Sequence, residues 1–138
     1  MKLKPLFSLL FLFTPELTYA NAQLTLKFHI ATVTSNKSLL GGTLQNTGDE
    51  ILTSGFINYM VTQTPCVSGV IKTYYFNEIS PGEKKTFRIS IPEGLKAYKI
   101  LSFGGVNSHG LPASIKDETA GVIKEKIDKE REYCTLKK

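Results

Sequence analysis

Leu24, Leu26, Phe28 and Ile30 alternate with Thr25, Lys27 and His29, a two-residue period that gives a strand one apolar face for a core and one polar face for water. Broken by turn residues, that period runs on to Val106. After Asn36-Lys37-Ser38 it resumes as "SLLGGTLQN" over 38–46, where Gly41-Gly42 marks a bulge or a close backbone approach. Asn46-Thr47-Gly48-Asp49 is a turn by composition. "SGFINYMVTQT" over 54–64 carries apolar residues on both faces, the pattern of a central strand. "VIKTYYFNEI" (70–79) is a fourth strand and "KTFRISI" (85–91) a fifth, with Phe87, Ile89 and Ile91 inward. Between them Ser80-Pro81-Gly82-Glu83 has proline and glycine where a type II turn needs them. "YKILSFGGVNSHG" (98–110) is too short and too rich in glycine for a helix, and predicts a sixth strand with its hairpin. A seventh falls at Ala113 to Ile115. The period then becomes helical: Val122, Ile123, Ile127 and Tyr133 punctuate a run of Lys and Glu, predicting one amphipathic helix over 118–132 capped by Asp117 or Thr119.

Strands of this length between turn signals predict a mainly β chain, a β-sandwich with a short C-terminal helix, with a partly open barrel as the alternative. In a seven-strand immunoglobulin-type sandwich, a tyrosine near the start of the penultimate strand sends its ring into the core and bonds its hydroxyl to the backbone of the preceding corner. Tyr98 follows Pro92-Glu93-Gly94 at that place, with Ile100 on the same face. The alternative is an ordinary core tyrosine before an unremarkable hairpin. With Val106-Asn107-Ser108-His109-Gly110 closing the hairpin, the stretch resembles the fibronectin type III pattern. It departs from that pattern in lacking any tryptophan, in having Ser102 where an apolar residue is usual, and in being one residue long between Tyr98 and Asn107. A bulge near Gly104-Gly105 would absorb the extra residue.

The first 22 residues carry Lys2 and Lys4, then the apolar block "LFSLLFLF" from Leu6 to Phe13, then Ala20-Asn21-Ala22. This is the form of a secretory signal peptide, and the block is too short to span a bilayer. Cleavage after Ala22 leaves Gln23 to Lys138, one domain of 116 residues with 15 basic and 11 acidic residues, a net charge of +4. From Lys116 to Lys138 seven basic residues interleave with six acidic ones, which reads as a solvated surface and not as a nucleic-acid strip. In an oxidising compartment the two cysteines, Cys66 and Cys134, are most simply a disulfide; free thiols or intermolecular bridges are the alternatives.

Catalysis needs a nucleophile beside a base, paired carboxylates or a metal cluster. His29 on the polar face of the first strand and His109 in a hairpin tip read as solvated histidines. Asp49-Glu50 and Asp117-Glu118 read as turn and helix-terminus charges. A non-enzyme without cofactor or metal is therefore expected. Binding leaves other traces: Tyr74, Tyr75 and Phe76 in succession must expose at least one ring, and the loops around Thr47 to Thr53 and Asn107 to Leu111, with Asn107 and His109, lie where sandwiches meet partners. Asn36-Lys37-Ser38 fits a glycosylation acceptor, relevant only in a eukaryotic secretory pathway.

The leader, the sandwich pattern, "SPGEKKTFRISIP", the tyrosine strand and Cys134 together resemble the interleukin receptor mimic proteins secreted by pathogenic Escherichia coli. The resemblance implies a fibronectin type III-like fold, a strand-exchanged homodimer and decoy binding of host interleukins. Vertebrate cytokine receptors carry a Trp-Ser-x-Trp-Ser motif and a four-cysteine framework that this chain lacks, so mimicry would rest on shape and loops. Gly41-Gly42 and Asn46 to Gly48 are the candidate hinges for exchange. The alternative is a periplasmic or surface structural protein, an adhesion subunit or an assembly factor that adds a strand; a small secreted hydrolase or an inhibitor ranks below both. Secretion could end in the periplasm or beyond it.

Overall fold

The computed structural model describes residues 21–34, 37–92 and 97–137. Seven strands, β1 (Gln23–Thr34), β2 (Lys37–Asn46), β3 (Leu52–Thr62), β4 (Val70–Ile79), β5 (Lys84–Ile91), β6 (Ala97–Asn107) and β7 (Ser114–Asp117), precede one helix, α1 (Ala120–Leu136). They form two sheets, β5-β2-β1-β7 and β4-β3-β6, packed as a β-sandwich. Leu24, Leu26, Leu40, Leu44 and Phe87 of one sheet meet Leu52, Ile57, Phe76, Ile79 and Phe103 of the other in the core between them. Every expected strand is present, and β3 is central in its sheet. The seventh lies slightly later than expected and the helix runs on to Leu136.

The last strand ties the two sheets together. Pro112 bridges to Val106 and the Ala113 amide donates to the Gly105 carbonyl, so the chain starts beside β6. It then leaves that sheet and pairs in parallel with β1, Gln23 with Ser114 through Leu26 with Asp117. Where this pairing ends, β1 holds one extra residue: Leu26 faces Leu44 but Phe28 faces Thr43, leaving Lys27 as a bulge. A one-residue slip turns every later side chain over. Phe28 and Ile30, expected in the core, are instead 52% and 55% exposed, while His29 and Ala31 turn inward. The Gly41-Gly42 pair is itself regular, paired on both sides. Its close approach is real: a Cβ on Gly42 would lie 2.5 Å from the Phe28 carbonyl oxygen and from the Phe87 ring.

A second bulge sets the register of β6. Ser102 pairs with Asn58 and Ile100 with Tyr59, so Leu101 is the extra residue, three positions before the expected Gly104. The slip explains Ser102, which faces outward and accepts a hydrogen bond from Asn58 Nδ2 at 3.0 Å, while Phe103 takes the core position. The Ser80 to Glu83 turn closes as expected, with Glu83 N donating to the Ser80 carbonyl and Gly82 at φ 77°.

Asn46 does more than turn the chain. Its side chain is fully buried; Nδ2 donates to the carbonyls of Glu50 (2.7 Å) and Ile79 (3.0 Å), and Oδ1 accepts from Gly48 N. Its backbone exchanges bonds with Gly82 and Glu83. One residue thus joins the β2–β3 turn to the β4–β5 turn.

No residue of α1 is buried, and the helix lies on the sandwich flank over a cavity of about 200 Å³ lined by His29, Tyr98, Ile100, Ile123 and Ile127. Three attachments hold it. The Cys66–Cys134 disulfide anchors its last turns to the loop after β3. Glu118 bonds Lys27 at the bulge (2.6 Å) and Glu130 meets Lys99 of β6 (3.4 Å); Lys27 and Lys116 hold the Glu118 carboxyl below its ordinary range. At the start of the helix, Thr119 Oγ1 donates to Asp117 Oδ1 at 2.6 Å and lies 3.3 Å from His29 Nε2. Having spent its one proton, Thr119 must accept, so His29 carries its proton on Nε2 and its Nδ1 accepts from the Tyr98 hydroxyl at 2.9 Å. The result is a directed relay, Tyr98 to His29 to Thr119 to Asp117, joining both sheets to the helix. His29 is therefore not a solvated surface group. The Tyr98 hydroxyl is spent on a side chain, and the corner it was expected to bond, residues 93–96, lies outside the described residues; so do the leader up to residue 20 and the glycosylation asparagine.

Three outcomes follow from these contacts. Asn46→Ala strands the buried Ile79 carbonyl and the part-buried Glu50 carbonyl and should cost about 2–3 kcal/mol in urea unfolding; an unchanged midpoint would remove Asn46 from this role. Replacing both cysteines by serine should cost about 2–4 kcal/mol and leave α1 amides exchanging freely while core strand amides stay protected. Burial first, then Lys126, hold the His29 imidazole below its ordinary 6.5, against the pull of Asp117. The unfolded chain takes up that proton first, so this contribution is whole above pH 6.5 and is lost as pH falls through the lowered value. Thermal midpoints taken between about pH 7.5 and about pH 5.5 should fall less steeply in His29→Gln than in the parent chain.

Candidate protein-binding surface

Alternation along β3, β4 and β6 sends Ile57, Tyr59, Val61, Phe76 and Phe103 into the core and leaves a second row on the outer face of their sheet. Register aligns that row in three ranks: Tyr75–Phe56–Gly104, Thr73–Asn58–Ser102 and Ile71–Met60–Lys99. The middle rank is a polar ladder, Thr73 Oγ1 donating to Asn58 Oδ1 (2.7 Å) and Asn58 Nδ2 to Ser102 Oγ (3.0 Å). Apolar groups flank it on both sides. Tyr75 is 76% and Ile71 62% exposed, and the Phe56 ring lies against Gly104, where a Cβ would come within 3.1 Å of it. The one charge among these ranks, Lys99, is committed to Glu130.

At one end of this face lies an open groove of about 560 Å³, with Phe56 and Tyr75 on one side and Val106, Pro112 and Ile115 on the other. It exists because β7 leaves β6 to join β1. Beyond it stands the β6 hairpin. Asn107 Oδ1 accepts from the amides of His109 (3.0 Å) and Leu111 (2.8 Å), and its Nδ2 donates to Glu50 Oε2 at 2.6 Å. Glu50 Oε1 lies 3.0 Å from His109 Nδ1. The pairing orients an exposed imidazole at the rim.

Of the residues singled out in the sequence, Tyr75 and His109 therefore reach solvent here. Tyr74 is half-buried on the inner side, its ring 6.3 Å from that of Phe87, and Phe76 is buried. Alternation puts Tyr75 on one face and its two neighbours on the other, and the register of β4 on β3 makes the face of Tyr75 the outer one. Asn107 is buried and builds the turn instead of offering a contact. Cys66 and Cys134 form the disulfide, and Tyr98 heads the relay under α1. Phe56, Met60 and Ile71 were missed as surface groups; for Phe56 and Met60 the two-faced apolar pattern of 54–64 was the signal, and it read as burial.

The face offers aromatic area, aliphatic edges and a short polar ladder. Such a surface loses little solvation when covered and buries much apolar area, as the core of a protein interface does. A smaller apolar pair, Phe28 and Ile30, stands on the outer face of the other sheet. Among the described residues no group of three His, Cys, Asp or Glu side chains could hold a metal ion, and no helix is long and apolar enough to cross a membrane.

No family model matches the sequence, and no curated protein matches it significantly. Among solved structures, IrmA from Escherichia coli is similar, with a TM-score of 0.46 and 12% sequence identity over 72% of this chain and 92% of that one.

Proposed function

We propose that this chain is a secreted protein-binding module and not an enzyme, and that it engages its partner through the outer face of β4-β3-β6. The observation that carries the reading is the pair of apolar ranks that present Tyr75 and Phe56, and Ile71 and Met60, with the one cation among them, Lys99, paired to Glu130. The sequence resemblance to interleukin receptor mimics adds the partner class: host interleukins, bound as a decoy by a homodimer. Strand exchange at Gly41-Gly42 would have to break pairing on both sides of β2. Exchange at Asn46 to Gly48 would have to break the Asn46 bonds.

The alternative reading is an envelope structural or assembly protein that accepts an added strand. One observation favours it: among the described residues β4 has a neighbour on one side only, and Lys85 Nζ covers just the Asn77 and Glu78 carbonyls, leaving Val70 to Phe76 as an open edge.

Light scattering and binding to an interleukin panel, done on the same oxidised sample, separate these accounts. A stable dimer that binds one or more interleukins is expected. Tyr75→Ala should then weaken that binding at least about 10-fold with no change in unfolding midpoint, and Phe28→Ser should leave it unchanged. The reverse result would move the site to the other sheet. A monomer that binds no interleukin but captures extended apolar peptides, antiparallel to β4 by isotope-edited NMR, would establish the alternative.

A further inference from the structure

The leader offers two places to cut, the expected one after Ala22 and a second after Ala20. A signal peptidase reads small residues one and three positions before the bond. Ala22 with Ala20 satisfies this, and so does Ala20 with Thr18. The fold treats the two bonds differently, because residues 21 and 22 belong to it.

Ala22 is 1% exposed and is part of the core cluster. Its carbonyl accepts from the Ser114 amide at 3.0 Å and from Ser114 Oγ at 3.4 Å, the first links between β7 and the β1 side of the sandwich. Asn21 and Asp49 clasp each other: Asn21 N donates to Asp49 Oδ1 at 2.6 Å, and Asp49 N donates to the Asn21 carbonyl at 3.2 Å. Thr47 N bonds the Gln23 carbonyl beside them at 2.8 Å. The turn is shaped to this segment, since any side chain at Gly48 would run into the Asn21 carbonyl.

Cutting after Ala22 would remove an apolar residue from the core, take away the acceptor of the Ser114 amide and undo the Asn21–Asp49 clasp. It would also leave the new ammonium of Gln23 beside the space that buried Ala22 had filled. Cutting after Ala20 costs none of these contacts and adds one. The Asn21 nitrogen, a neutral amide with one hydrogen in the uncut chain, becomes an α-ammonium with three, protonated below about pH 8. It is already placed on a carboxylate, where the bond becomes charge-assisted.

We propose that the leader is removed between Ala20 and Asn21, so that the exported chain begins at Asn21 and its α-ammonium forms an ion pair with Asp49 that locks the start of β1 to the β2–β3 turn. The proposal rests on the reading that the chain is exported. Hydrolysis of the Ala20–Asn21 amide leaves a carboxylate on the leader and the ammonium on the mature chain, with water as the only co-reactant.

The full-length chain, expressed in a bacterium and recovered from the envelope and the medium, should give by intact mass and N-terminal sequencing a product that begins with Asn21. A product beginning with Gln23 overturns the proposal and leaves export standing. The full 138-residue chain, recovered uncut, overturns the export reading itself. Two chains released from a cleavable carrier, one beginning at Asn21 and one at Gln23, supply an independent measure. The longer should melt about 5 °C higher, and Asp49→Asn should lower its midpoint while hardly moving that of the shorter. Equal midpoints for the two chains would remove the structural role.

Discussion

The extra residue at Lys27 is the constraint on which the rest of the sandwich depends. It falls where β7 stops pairing with β1 and the chain turns towards the helix. Below it, Leu24 and Leu26 point into the core; above it, the strand has turned over, so His29 looks inward and Phe28 outward. Without that slip the imidazole would face water, the Tyr98 hydroxyl would lack its acceptor, and Thr119 would have nothing to hold the helix start against the sheets. Lys27 itself, displaced from the ladder, reaches Glu118 beside the first turn of the helix. One inserted residue therefore serves as a strand bend, a register change and an attachment point.

The flank that this arrangement closes is the vulnerable part of the design. A two-sheet sandwich must deal with four edges. Here β7 covers part of one by changing sheets, and α1 lies across the opening that remains between β1 and β6. The helix contributes almost no burial of its own, so its position is set by a cystine, ion pairs and the relay, all of which depend on the medium more than packed hydrocarbon does. The free side of β4 and the outer face of its sheet are left open. It is the combination of a well-satisfied interior and an uncharged, aromatic exterior that makes recognition the reading with the most physical support.

Much of this was legible in the sequence. Seven strands, a terminal helix, the type II turn and the cystine followed from period, turn residues and compartment, because those signals act over a few residues. What was not legible were the slips. The alternation of Leu24, Leu26, Phe28 and Ile30 is perfect on paper, and nothing local marks Lys27 as the residue left out; only the pairing of β1 with both β2 and β7 decides it. The same holds for Leu101, whose bulge was expected three residues later at the glycines. The surface was half legible: among Tyr74, Tyr75 and Phe76 one had to face out, but which one depends on register. Asn46 and Asn107 read as turn formers, and both are. That each is also buried and bonded to a distant segment is a fact of tertiary structure.

The cystine also has an order in time. Cys66 lies 68 residues ahead of Cys134, and all seven strands are encoded before the second thiol. A chain emerging N-terminus first presents all seven strands before the bridge can form. Oxidation therefore does not guide the choice of strand partners. It acts as a latch on a sandwich whose strands are already all present, fastening the helix over the flank.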